Sequence, residues 1–221
     1  MSTQDHGDAT ALADVVQQGL AGQAPGSPLT LAPVTGPSAL EPLRRLVALE
    51  YQAHPVELAA YGNLLARSPH GQAAELWLTL GRVVHNATPK LYRVGQALGM
   101  DEAGLTRPVN SGSYAFHSAL SWIATSASQA AAALAAHTDM QVYYSGACAV
   151  ARRLRESDLP QTRAFIDYYD DAGDDALKEL ALAVVQDGLD RGADPDEVLF
   201  HAHRISDALL DVWKTAAAPP A

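Results

Sequence analysis

The sequence holds one cysteine, Cys148, which excludes an internal disulfide and any cluster of thiolate metal ligands. It has no uninterrupted run of about 18 apolar residues, so no segment is expected to span a membrane. Basic residues are scarce: 15 Lys and Arg against 25 Asp and Glu leave a formal charge of −10. That balance argues against nucleic acid as a partner, because phosphate binding needs a basic surface. No basic segment followed by an apolar stretch and a cleavage site opens the sequence, so no secretory signal is expected, and the expected location is the cytoplasm. Glycine-rich phosphate loops, zinc motifs and a serine elbow are all missing. Val, Ile and Tyr never alternate with polar residues over a strand's length, so no sheet is expected.

Another absence is local. From Pro108 to Thr138 there is no Asp, Glu, Lys or Arg. Tyr114 to Ala136 is rich in Ala and Leu and free of Pro and Gly, so it reads as one long helix. At 3.6 residues per turn, Phe116, Ala119, Leu120, Ile123, Ala127, Ala130 and Leu134 share one face. Tyr114, Ser118, Ser121, Thr125, Ser128 and Gln129 share the other. A helix without charge on any side is expected to be buried. The neutral polar face then either lines an internal cavity or bonds back to carbonyls one turn earlier in a dry core. The remaining helices are expected to pack around this one.

Apolar residues make up 48% of the chain, enough for a sizeable single core. Residues 1 to about 37 are poor in large apolar side chains and are expected to be a flexible tail, with a short helix possible over Thr10–Gln18. The folded domain is expected over 38–216, opening at Ser38 as an N-cap with Glu41 three residues later, with 217–221 as a C-terminal tail. Further helices are predicted over Ala39–Ala66, bent or broken at Pro55, and over Gln72–Leu98, interrupted near Pro89 and stopped by Gly99. Later ones run from Asp139 to about Arg155, through Phe165–Tyr169, over Ala176–Leu189, and from Asp194-Pro195 to about Trp213. The fold class is therefore all-α, a single-domain bundle of about seven helices.

Phase sorts the candidate functional residues. Glu50 and His54 lie one turn apart amid Leu43, Leu46, Val47, Tyr61 and Leu65, and an ionisable pair on an apolar stripe is costly unless hydrogen-bonded or functional. They are the candidate catalytic acid and base, since a carboxylate orients an imidazole and raises its basicity. The alternative is a buried structural pair. With Glu50 catalytic, Glu50→Gln is expected to remove activity and barely move the melting temperature. Tyr114, Ser118, Ser121 and Thr125, with Tyr143, Tyr144 and His201, are the candidate substrate-binding groups. His203, Asp207 and Asp211 repeat at one-turn spacing but fall opposite the stripe Val198, Ala202, Ile205, Leu209 and Val212, so they are expected to face solvent. His85 is likewise expected to be exposed, and Lys90 to lie beside an apolar stripe. Cys148 has no activating neighbour and reads as packing.

The stretches LRRLVALEYQAHPVELAAYGNLLARSP, QALGM, YYSGACAVARRLRES, FIDYYDD and LALAVVQDGLDRGADPDEVLFHAHRISDALLDVW, in that order, resemble the thiaminase II (TenA)/PqqC-like group. The resemblance implies the helical heme-oxygenase-like fold over about Leu40 to Lys214. It also implies departures. Thiaminase II enzymes carry a Pro-Cys-aromatic stretch where Val142, Tyr143 and Tyr144 stand here, and a glutamate that Leu209-Leu210-Asp211-Val212-Trp213 lacks. Thiamine chemistry is therefore not expected. Di-iron oxidases of the same fold need more inward ligands than Glu50, His54 and His201.

The function expected is a tailoring enzyme of secondary (natural-product) metabolism. It would use metal-independent acid–base chemistry (cyclisation, elimination or rearrangement) on an amine-bearing metabolite. No metal and no cofactor are predicted. The alternative is a non-catalytic ligand-binding or accessory subunit, and a third reading is a non-heme iron oxidase. A homo-oligomer or a complex with a partner biosynthetic protein is expected, since this fold group commonly associates.

Overall fold

A computed structural model describes residues 7–20, 27–108, 110–170 and 173–218. Its helices are α1 (Ala9–Leu20), α2 (Ser27–Thr30), α3 (Leu40–Arg67), α4 (Gly71–Ala97), α5 (Glu102–Thr106), α6 (Ala115–Ser126), α7 (Gln129–Leu154), α8 (Thr162–Tyr169), α9 (Asp175–Asp190) and α10 (Pro195–Ala217). No strand occurs among the described residues, as expected for an all-α chain.

The long helix expected over Tyr114–Ala136 does not exist as one element. It breaks at Ala127 and Ser128, which take extended backbone angles between α6 and α7. The neutral stretch cannot satisfy a helix end by charge, so other helices do it. Arg67, at the end of α3, donates to the Ala124 and Ala127 carbonyls at 2.8 and 2.7 Å, closing α6. Ser128 Oγ accepts from the Ala131 amide at 3.2 Å, and Glu197 of α10 accepts from the Ser128 amide at 2.9 Å, opening α7. Free backbone groups at helix ends need such partners, and a carboxylate at a helix N-terminus also meets the positive end of its dipole.

After the break, α7 runs unbroken through Asp139 to Leu154 as the buried axis, with every residue from Ala130 to Thr138 buried. Alanines make this possible, because small side chains let neighbouring helices come close on all sides. The tightest approach is to α9, where a Cβ on Gly188 would lie 2.6 Å from that of Ala130. Helices α9 and α10 pack on α7, while α3 packs on α4, α6 and α10.

The neutral polar face belongs to α6, and it faces outward. Tyr114, Ser118, Ser121 and Thr125 are exposed, and the Thr125 and Ser126 hydroxyls bond back to carbonyls of Ser121 and Trp122. Hydroxyls that bond to their own helix need neither cavity nor charge.

Other expectations shift less. Pro55 and Pro89 lie inside unbroken helices. Both are exposed, so the carbonyls they leave unpaired can be hydrated. Ser38 lies in a short 3₁₀ turn, and the capping position of α3 is Ala39, which offers no side-chain bond. Gly99 and Gly192 end α4 and α9 with φ of +78° and +90°, and Asp194 caps α10. The expected tail is a packed helix over Ala9–Leu20, with Ala9, Leu12, Val16 and Leu20 buried. Gln186 of α9 clamps its start, accepting from the Ala9 amide and donating to the Gly7 carbonyl, both at 2.9 Å. Residues 1–6 and most of 217–221 lie outside the described residues.

Arg67→Ala tests the break. Losing two charge-assisted bonds to carbonyls should cost about 2–3 kcal/mol, lowering the melting temperature by about 4–12 °C. An unchanged melting temperature would show that the junction holds without Arg67.

Candidate active site

A cavity of about 550 Å³ lies among α3, α4, α6, α7, α8 and α10. Its exposed lining residues Val83, Asn86, Lys90, Asp167 and Asp170 mark a mouth between α4 and the end of α8. The acids there are already paired, Asp167 with Arg163 at 2.9 Å and Asp170 with Arg155.

Glu50 and His54 reach the cavity from α3, as their phase predicts. Three tyrosines converge on Glu50. Tyr143 of α7 and Tyr169 of α8 both donate to Oε2, and Tyr168 donates to Oε1 at 2.8 Å. His54 Nε2 lies 3.5 Å from Oε1. The Thr88 hydroxyl of α4 gives its proton to the Val84 carbonyl at 2.8 Å, so its oxygen accepts from His54 Nδ1–H, also at 2.8 Å. That leaves Nε2 aimed at Glu50 as its fourth polar neighbour. A carboxylate has about four acceptor positions; three of Glu50's take tyrosine protons and His54 stands at the fourth. Burial pushes the Glu50 carboxyl up, but His54, Tyr143 and Tyr169 outweigh it, and the group lies below its ordinary value. The three phenols are pushed up by burial and by the Glu50 charge, so they stay protonated and remain donors.

Two further carboxyls line the same cavity, Glu57 of α3 and Asp139 of α7. Among the described residues neither has a hydrogen-bond or ion-pair partner. Burial, with the Glu50 charge second, pushes Asp139 up to about 7. Burial followed by the Asp139 and Glu50 charges drives Glu57 well above the carboxylate range. Both had a sequence signal that phase analysis of single stripes passes over. Glu57 follows Glu50 by two turns on the same face, and Asp139 is the first charge after the neutral stretch, one turn before Tyr143.

The remaining candidates divide. Tyr143 and Tyr144 line the cavity, and Gly173, with φ +78°, lets the α8–α9 loop lie on the Tyr144 ring, where a Cβ would come within 2.8 Å. Tyr114, Ser118, Ser121 and Thr125 are not in the lining. Nor is His201, which is buried against Trp122 (ring centroids 5.0 Å apart) and lies 3.9 Å from Glu197, at the α6–α7 junction. Cys148 is half-buried and outside the lining. His203, Asp207, Asp211 and His85 are exposed, and Lys90 is exposed at the mouth. Among the described residues no three His, Cys, Asp or Glu side chains are grouped to hold one ion.

No protein-family profile and no curated protein matches the sequence. A solved structure does match the fold: a TenA family transcription regulator from Silicibacter sp. TM1040, 16% identical, with a TM-score of 0.69 over 99% of this chain and 100% of that one. The chain has a TenA-like helical fold. The fold implied by the quoted stretches is therefore present, and it extends beyond Leu40–Lys214 to include the N-terminal helix. In this TenA-like frame Tyr143, which stands where the resemblance places a cysteine, is a donor to Glu50. No helix among the described residues is long and apolar enough to cross a membrane.

The saturated Glu50 changes one expectation. Removing its charge leaves the tyrosine cluster and His54 mispaired, and breaking a buried pair costs about 3–5 kcal/mol. Glu50→Gln should therefore lower the melting temperature by about 6 °C or more. A melting curve matching the parent's would show that the cluster contributes nothing to stability.

Asp139 gives the opposite sign. Its folded value, about 7, is above the ordinary 3.8. Between those limits the folded chain holds a proton that the unfolded chain has lost, so stability falls as pH rises, and the full penalty is present above about pH 7. Asp139→Asn removes that penalty and should raise the melting temperature more at about pH 8 than at about pH 4. An equal change at both would mean that Asp139 titrates normally.

Proposed function

We propose that this chain is a small-molecule tailoring enzyme of secondary (natural-product) metabolism, moving protons on an amine-bearing metabolite held in the cavity. The observation that carries the proposal is two carboxyls of one cavity in opposite surroundings: Glu50 is ringed by three tyrosine donors, whereas Asp139 has no hydrogen-bond partner among the described residues, so that Glu50 is held down and Asp139 raised to about 7. Carboxyls whose environments drive their titrations apart mark an acid–base pair of roles. Glu50, with no free acceptor position, serves as a fixed anion that stabilises positive charge on the substrate. Asp139, close to half-protonated near neutrality, gives or takes the proton at its carboxyl oxygen. Cyclisation, elimination or rearrangement would fit this equipment, and the proposal assigns no role to a metal or cofactor. The structural neighbour is named a transcription regulator, but a net charge of −10 does not favour a phosphate backbone as ligand. Cytoplasmic location and association with a second copy or a partner protein belong to the same proposal.

The test is consumption of amine-bearing metabolites, followed by mass spectrometry. The protein should turn over at least one, with a pH–rate inflection near 7, and Asp139→Asn should slow it by about 10²–10⁴. Full activity in Asp139→Asn would sink the assignment. Binding without consumption of any metabolite would favour an accessory, ligand-binding role.

A further inference from the structure

Polar groups enclosed by protein normally have hydrogen-bond partners, and each exception calls for a reason. The cavity divides on this criterion. At one end Glu50 is saturated by Tyr143, Tyr168, Tyr169 and His54, so it offers a ligand charge but no lone pair. At the other end stand Glu57 and Asp139 without partners, together with Tyr61. The Tyr61 residue is only 4% exposed, lines the cavity and stacks on Trp77 with ring centroids 6.2 Å apart. Its hydroxyl also has no hydrogen bond among the described residues. Glu57 and Tyr61 stand one turn apart on α3, and all three groups line the same cavity. The Tyr61 phenol is pushed up first by burial and then by Glu57 and Asp139.

We propose that Glu57, Asp139 and Tyr61 form the subsite for a primary ammonium group, carried by a ligand whose remaining part is apolar or aromatic. An ammonium is a compact charge with three N–H donors and no acceptor. The three side chains supply three acceptors, two carboxylates and a phenolic oxygen whose own proton can turn to a carboxylate. A quaternary cation would leave them unpaired. Leu49, Phe116, Met140, Leu209 and Val212 give the same cavity an apolar wall, which suits hydrocarbon or an aromatic ring.

Binding is coupled to protons. Without a cation beside them the two carboxyls hold their protons to higher pH, because burial first and the Glu50 charge after it oppose their ionisation, with Asp139 adding to the effect on Glu57. The other titratable groups of the cavity lining are Glu50 and His54 of α3, Lys90 of α4, His117 of α6, Tyr143 and Tyr144 of α7, Asp167, Tyr168 and Tyr169 of α8, and Asp170 just after it, while α10 presents only Leu209 and Val212. Lys90 is exposed at the mouth, so no enclosed lysine or arginine in the lining serves the pair. An ammonium would supply the missing positive charge, lower both carboxyls and expel a proton to solvent.

This inference rests on the functional reading above but is tested by binding alone. The probes are 2-phenylethylamine, its N,N,N-trimethyl analogue and 3-phenylpropionate, titrated calorimetrically at neutral pH in two amine-free buffers of different ionisation enthalpy. The expected result is that the primary amine binds, releasing about one proton, and that the other two bind at least about tenfold more weakly. Glu57→Gln and Asp139→Asn should each weaken the amine by about tenfold or more and reduce the proton release, and Tyr61→Phe, which keeps the stacked ring, by about fivefold. Melting curves of each variant show that it is folded. Equal binding of the trimethyl analogue, amine binding unaffected by the three variants, or no amine binding would overturn the subsite. Amine binding without turnover of any metabolite would leave the subsite standing and remove the enzymatic reading. Turnover confined to metabolites without an amine would do the reverse.

Discussion

A single buried carboxylate organises the functional half of this molecule. An anion held away from water must collect donors or lose its charge, and Glu50 collects three tyrosine hydroxyls from α7 and α8, with the His54 imidazole of α3 beside them. Through His54 and Thr88 the same network reaches α4. Four helices are thereby tied around one point. The short α8 packs through Phe165 and Ile166 and delivers two of the tyrosines there. The saturation that makes Glu50 a strong organiser also makes it a poor proton acceptor.

Its charge then sets the chemistry of its neighbours. Asp139 and Glu57 share the cavity with an anion that stays ionised, and no enclosed lysine or arginine of the lining compensates them. Burial first, and that charge after it, hold their protons toward neutral pH. On the proposed reading, a cationic ligand in the cavity would relieve both.

The second constraint is the break between α6 and α7. Its carbonyls are taken by Arg67 and its amides by Ser128 and Glu197, so the two helices turn apart where the sequence shows only small neutral residues. The break releases α6 to the surface with its hydroxyls outward. It also gives α7 an unbroken course from Gln129 to Leu154, which carries Asp139, Tyr143 and Tyr144 to the cavity wall. Treating Tyr114–Ala136 as one helix assigned the cavity to Ser118, Ser121 and Thr125, whereas the continuation past Asp139 supplies it.

Periodicity and end chemistry are properties of a few adjacent residues, and they determined much. Helical class, the stops at Gly99 and Gly192, the start at Asp194-Pro195, and the inward phase of Glu50 and His54 follow from local sequence alone. So does the solvent face of His203, Asp207 and Asp211. Even the stripe Ala9, Leu12, Val16 and Leu20 was present to be read, although low local apolar content pointed to a tail. Tertiary structure alone decided which helix would cap a neighbour's end, that His201 belongs to the α6–α7 junction, and that three tyrosines would meet one carboxylate. It also decided that Asp139 would lie buried near the Glu50 charge without a hydrogen-bond partner among the described residues. Phase fixes a side chain's direction only relative to its own helix. A titration or a hydrogen bond depends on charges and donors brought from helices distant in sequence, and their positions are set by packing.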